Sequence, residues 1–142
     1  MSSRRAQTAR SGRTRAVTAS QARRYLAKAE EYIDAASSEL DAQRGVAATS
    51  LAIHAAINAA DAVCGVRLGE RAAGQDHDEV LVLLKKAGKD GAEVEKNLRR
   101  LLPLKTRAEY DPDDIPLATA SRAVDRAQRC VAVARRVVAS LR

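Results

Sequence analysis

Apolar residues recur every three or four positions along almost the whole chain, and nowhere do they alternate as a half-buried strand requires. Ala22, Leu26, Ala29, Ile33, Ala36 and Leu40 form the first stripe and predict a helix from about Ser20, its N-cap, to about Arg44. Tyr25 and Tyr32, seven apart, flank that stripe as packers at the core edge. Gly45 marks the turn. Val46, Ser50, Ile53, Ile57, Ala60 and Cys64 repeat the spacing to about Arg67, and alanines fill the positions between them. Small residues on several faces permit close contact with several neighbours, so this is the expected central helix. Gly65, Gly69 and Gly74 punctuate a loop. Asp76 with Glu79 reads as a capping pair before a short helix through Val80, Leu81, Leu84 and Ala87. Asp90 with Glu93 reads the same way before Val94, Leu98, Leu101, Leu102 and Leu104, where Pro103 kinks or ends the helix. After a loop from Asp111 to Pro116, the stripe Leu117, Ala120, Val124, Ala127, Val131, Ala134, Val138 and Leu141 predicts a last helix packed along its length.

The expected fold is therefore all-α, an up-and-down antiparallel helical bundle of four to five helices. Alanine-rich stripes imply narrow interhelical spacing and few large pockets. Such a bundle suits small-molecule catalysis only where polar groups converge inside it.

Composition narrows the picture. The 142 residues suit one core, and 46% hydrophobic residues are too many for a disordered chain. No stretch reaches the ~20 uninterrupted apolar residues of a membrane span, so no membrane partner is expected. Charge is unevenly placed. Residues 1 to 24 hold seven arginines and no acid, which leaves 18 bases against 18 acids in the rest of the chain. The expected organisation is a basic flexible arm over 1–18 and a single helical domain over 19–142. A segment rich in Arg, Ser, Thr, Ala and Gln buries too little to offset its ordering entropy. Arg4, Arg5, Arg10, Arg13 and Arg15 suit phosphate contacts or an acidic partner face, with a plain solvated tail as the alternative. The arm has no aromatic residue, so base stacking is not open to it. No apolar block follows the basic start as a secretion signal requires, and the expected location is cytoplasmic. The Ala and Arg bias fits a GC-rich bacterial genome.

Candidate chemistry is sparse. Cys64 and Cys130 lack metal spacing and read as buried thiols; His54 and His77 stand alone. Neither a metal nor a cofactor is expected. His54, Asn58 and Asp61, at intervals of four and three, share a helix face as a polar cluster that fixes helix register, with a catalytic role as the alternative and Arg107 as its possible recruit. Arg107 and Tyr110, at i and i+3, read as a pair that pins the end of the fourth helix through a guanidinium packed on the ring. Lys85-Lys86 and Arg99-Arg100 are offset by nearby acids, and Arg135-Arg136 falls on the solvent side of the last helix.

The order of elements resembles the HEPN superfamily over roughly residues 20 to 140. The resemblance rests on Ala22-x-x-Tyr25-Leu26-x-x-Ala29, an alanine-rich second helix, a His opening the third, and Leu101-Leu102-x-Leu104-Lys105-x-Arg107-Ala108-Glu109-Tyr110 before a closing helix near Leu117. It implies a helical bundle, homodimerisation, and roles centred on RNA or on toxin–antitoxin and nucleotidyltransferase partners. Many catalytic members are metal-independent ribonucleases with an Arg followed, after four to six residues, by a His. A cation stabilises the phosphorane-like transition state, and an imidazole moves the proton of the attacking 2′-hydroxyl. Counting from Arg107, the three allowed positions hold Pro112, Asp113 and Asp114, and none is His. Arg71 and His77 match the spacing formally but bracket a loop away from the motif's place, where a structural His after a capping Asp76 is the competing reading. Three functions follow as expectations: a non-catalytic interaction module, a ribonuclease with an atypical pair (Arg71 with His77, or Arg107 with His54), and an accessory subunit of a nucleotidyltransferase.

Overall fold

Thr18, two residues before the expected Ser20, starts the first helix. Its hydroxyl accepts from the Gln21 N–H at 3.1 Å, and the Gln21 side chain accepts from the Thr18 N–H at 2.9 Å. Only Thr18 has a Gln three residues on to close this reciprocal box. The structure, a computed structural model, describes residues 13–74 and 76–142. Helix α1 (Ala19–Asp41) buries Ala22, Ala29, Ile33 and Ala36, the stripe its spacing predicts. Three residues, Ala42 to Arg44, then reverse the chain into α2 (Gly45–Leu68), so the two helices form an antiparallel hairpin. Gly45 is required at that corner because a Cβ there would run into the Ile115 carbonyl oxygen.

Helix α2 packs on every other helix of the bundle. Its alanines Ala48, Ala52, Ala55, Ala56, Ala59 and Ala60 have no exposed surface at all. It is long and apolar enough to cross a bilayer, but its faces are spent on protein contacts. Gly69, with φ +71°, ends it in the left-handed conformation that glycine adopts without strain.

A short sheet follows. Strand β2 (Glu70–Ala72) pairs antiparallel with β1 (Thr14–Ala16), Arg15 opposite Arg71. The expectation of a flexible arm through Thr18 is therefore corrected from Thr14 onward: Thr14 to Ala16 are held in the ladder, Val17 is buried and Thr18 caps α1. Val17 sits where Gly65 leaves room, since a Cβ on Gly65 would lie 2.6 Å from Val17 Cγ1. Arg4, Arg5 and Arg10 lie outside the described residues, whereas Arg13 accepts from the Ala73 N–H through its carbonyl at 2.9 Å.

The second half holds α3 (His77–Lys85), α4 (Gly88–Leu101), α5 (Pro103–Glu109) and α6 (Leu117–Ala139). Asp76 caps α3 by accepting from the Asp78 N–H at 2.9 Å. Asp90 does not cap α4, which begins at Gly88. Its carboxylate accepts instead from Arg67 of α2 at 2.8 Å and Arg136 of α6 at 3.0 Å, and these two hydrogen bonds hold it below the usual carboxylate range. Pro103 ends α4 and takes the first position of α5, where its missing N–H costs nothing. The expected fourth helix is thus two helices, which makes six helices among the described residues where four to five were expected. Helix α6 buries Ala120, Val124, Ala127, Val131, Ala134 and Val138 as its spacing predicts, while Leu117 at its start stays 41% exposed.

Candidate functional site

Helix α5 exists because Pro103 breaks the chain, and its seven residues place an i,i+4 pair of opposite charge. Lys105 Nζ lies 3.0 Å from Glu109 Oε2. Glu109 Oε1 in turn stands 4.0 Å from Nε2 of His54, whose ring stacks on Tyr32 with centroids 5.4 Å apart and planes 30° apart. His77, at the first position of α3, faces the same two charges. Desolvation pulls its pKa below the ordinary imidazole value, the Lys105 ammonium adds to that, and the carboxylates of Asp76, Glu109 and Asp78 oppose it. One ion pair thus acts on both histidines that stand alone in the sequence, by proximity on His54 of α2 and by charge on His77 of α3. A neutral imidazole and a neighbouring ammonium are parts of a proton-transfer site, but His54 at 4.0 Å from the carboxylate is beyond hydrogen-bond range.

The predicted row of His54, Asn58 and Asp61 does not form a network. Asn58 Nδ2 donates back along its own helix to the His54 carbonyl at 2.9 Å. Asp61 belongs to another part of the molecule. It is buried, and the charges that act on it are Arg71 of β2 and Lys28 of α1. Burial pushes its carboxyl up to about 7, the two cations pulling the other way. Arg71 lies with its guanidinium 5.7 Å from the Tyr25 ring centroid and donates to the Ala72 carbonyl at 3.0 Å. The pairing of Arg71 with His77 is not made: Arg71 is not among the charges acting on that imidazole.

Arg107 and Tyr110 differ most from expectation. Arg107 is exposed and makes no hydrogen bond or ion pair among the described residues, and Tyr110 is 76% exposed. The turn is closed by backbone, the Tyr110 N–H donating to the Thr106 carbonyl at 2.9 Å. The arginine-over-tyrosine contact expected there occurs instead between Arg71 of β2 and Tyr25 of α1. Lys105 and Glu109 were missed as site residues although their four-residue interval is visible in the sequence; Lys28 and Tyr25 had no local signal.

Cys64 and Cys130 are buried free thiols, both pushed up to about 12 chiefly by desolvation. Among the described residues no three His, Cys, Asp or Glu side chains are grouped to hold a metal. An open cavity of about 740 Å³ lies between the α1–α2 turn and the start of α6, lined by Arg44, Val46, Ser50, Ala108, Ile115 and Leu117. It contains no imidazole, and its Arg44 is paired with Glu39 at 3.3 Å. In comparisons with known proteins, the family model described as HEPN domain matches residues 22–142. No curated protein matches the chain.

Proposed function

Because the chain belongs to the HEPN domain family, we propose that it is a non-catalytic interaction module: a homodimer whose basic N-terminal arm touches nucleic acid in a cytoplasmic toxin–antitoxin-like or nucleotidyltransferase-associated system. One observation carries this reading. Arg107 stands exposed without a hydrogen bond or ion pair among the described residues and without a His four to six residues on, while His54 lies 4.0 Å from Glu109 and His77 is acted on by the charges of Lys105 and Glu109. Cleavage at a 2′-hydroxyl needs a cation on the phosphate and a base on the hydroxyl at the same time. The arginine at the motif's place and the two histidines are not joined in that way. Seven arginines with no acid over residues 1 to 24 support an electrostatic contact with phosphate. For a nucleotidyltransferase-like partner, the neutral bundle would supply one wall of a site formed mainly by the other chain.

A second reading, a metal-independent ribonuclease with an atypical cation–imidazole pair, has the Lys105 ammonium in its favour. That charge acts on His77, whose lowered pKa leaves it neutral and able to accept a proton at pH 7. The deciding measurement is cleavage of a mixed pool of structured and single-stranded RNA without metal, with His54→Ala, His77→Ala, Lys105→Met and Arg107→Ala beside the wild type. We expect no cleavage above a buffer blank from any of them. Cleavage by the wild type that one of these substitutions abolishes would replace the interaction reading with the ribonuclease.

A further inference from the structure

Packing of α4 against α6 brings together two pairs of arginines far apart in sequence. Arg99 and Arg100 occupy the last turn of α4; Arg122 and Arg126 lie four apart on α6 and so on one face. All four line one groove of about 420 Å³, together with the apolar Leu101, Pro103, Leu104 and Ala123. Elsewhere on α6 the arginines are neutralised: Arg129 by Asp125 at 3.0 Å, Arg135 by Glu30 at 2.8 Å and Arg136 by Asp90 at 3.0 Å. In the groove only Arg99 has a carboxylate, Glu95 at 3.4 Å. Arg126 reaches no more than the neutral amide of Asn97, at 3.5 Å. Arg100 and Arg122 have no ion-pair partner among the described residues. The body of the chain is neutral in sum, yet here it concentrates cations. The two arginines of α4 complement the negative end of their helix dipole, but those of α6 lie in its N-terminal half, where the dipole gives a cation no such reason.

We propose that this groove binds the phosphate backbone of single-stranded RNA. Guanidinium forks match phosphate oxygens in pairs, and apolar neighbours give the long side-chain stems a surface to pack on. No aromatic lines the groove, so it grips backbone without stacking bases. Thr119 also lines the groove, and its hydroxyl is a neutral donor and acceptor of the kind that can meet a ribose 2′-hydroxyl, a group deoxyribose lacks. The inference rests on the nucleic-acid part of the proposed function and adds to it a fixed contact on the folded body, separate from the arm.

The test is fluorescence anisotropy of a labelled mixed-sequence RNA 20-mer with the full chain, across a salt series. Beside it run Arg100→Gln/Arg122→Gln, deletion of residues 2–12, and a control, Arg129→Gln/Arg135→Gln, that removes two arginines already paired. The groove double variant should bind RNA ~10-fold more weakly near 0.1 M salt, with the slope of log K against log salt shallower by about 1.4, two single-strand phosphate contacts. The control should bind like wild type, and matching circular dichroism shows that the exposed substitutions leave the fold intact. Wild-type affinity and slope in the groove variant, with binding lost in the arm deletion, would overturn the groove and leave the nucleic-acid reading standing. No RNA binding by the wild type would overturn both. Equal affinity for a DNA 20-mer, or displacement of RNA by an acidic peptide at similar concentration, would overturn the assignment to RNA.

Discussion

Burial on α2 holds the Asp61 carboxyl at about 7, far above its ordinary value near 4, in spite of Arg71 and Lys28. Between those two values the folded chain keeps a proton that the unfolded chain has released. This group therefore favours folding most below about pH 4, and that contribution is lost as pH rises to about 7, by ~4 kcal/mol at most. In urea unfolding at pH 4.5 and pH 8, Asp61→Asn should gain on the wild type by a few kcal/mol at the higher pH. A difference between the two proteins that does not change with pH would mean that Asp61 ionises as an ordinary carboxylate. At this scale the sequence was partly legible. Its pairings fail where they cross elements: a helix-face argument sees only i+3 and i+4, and so groups Asp61 with its helix neighbours His54 and Asn58. The partners that matter arrive from α1 and β2. The same blindness put the arginine–tyrosine contact at Arg107 and Tyr110 rather than at Arg71 and Tyr25.

The N-terminal strand, paired with β2 from across the α1–α2 helices, is the element the pattern could not reveal. A three-residue strand is too short to show alternation, and Thr14 to Ala16 are exposed on both faces, so the ladder is held by backbone bonds that leave no mark on side-chain choice. Its consequence is measurable. Removing residues 2–12 should leave the melting temperature unchanged, whereas removing 2–18 deletes the Thr18 cap, worth about 1 kcal/mol, and the burial of Val17, worth about 1.5 kcal/mol. A loss of ~2–3 kcal/mol is expected for the longer truncation only; identical melting of the two would show that the strand ladder, Val17 and the Thr18 cap add nothing. The long helices, in contrast, were legible to within a few residues. Their stripes repeat over five or six turns, and glycine or proline stands at the breaks: Gly45, Gly69, Gly88 and Pro103. Asp90 illustrates the limit, since a carboxylate three residues before a glutamate looks like a cap until Arg67 and Arg136 claim it from other helices.

As a whole, the bundle is built on one alanine-rich helix sheathed by the others, and that plan was legible because a helix small on several faces has to be central. The outer surface was not, since it depends on which helices lie side by side. The basic groove of α4 and α6 combines two arginine pairs, of which Arg99-Arg100 looked neutralised in the sequence. Tyr110 and Leu117, large and exposed at either side of the Asp111–Pro116 loop, are where the proposed homodimer is tested first; the other large exposed apolar residue, Val82, lies on α3. Light scattering at tens of micromolar should give the mass of two chains, and Leu117→Asp with Tyr110→Ser should shift it toward one. A wild-type monomer at that concentration would remove homodimerisation from the proposed function. The sealed thiols have a practical consequence of a different kind. Cys64 and Cys130 are the only cysteines, both are buried, and with pKa values near 12 almost no thiolate is present at neutral pH. A cysteine introduced at an exposed position such as 82 is then the one a maleimide reaches, so a single fluorophore or spin label goes onto the native background with its own cysteines left in place.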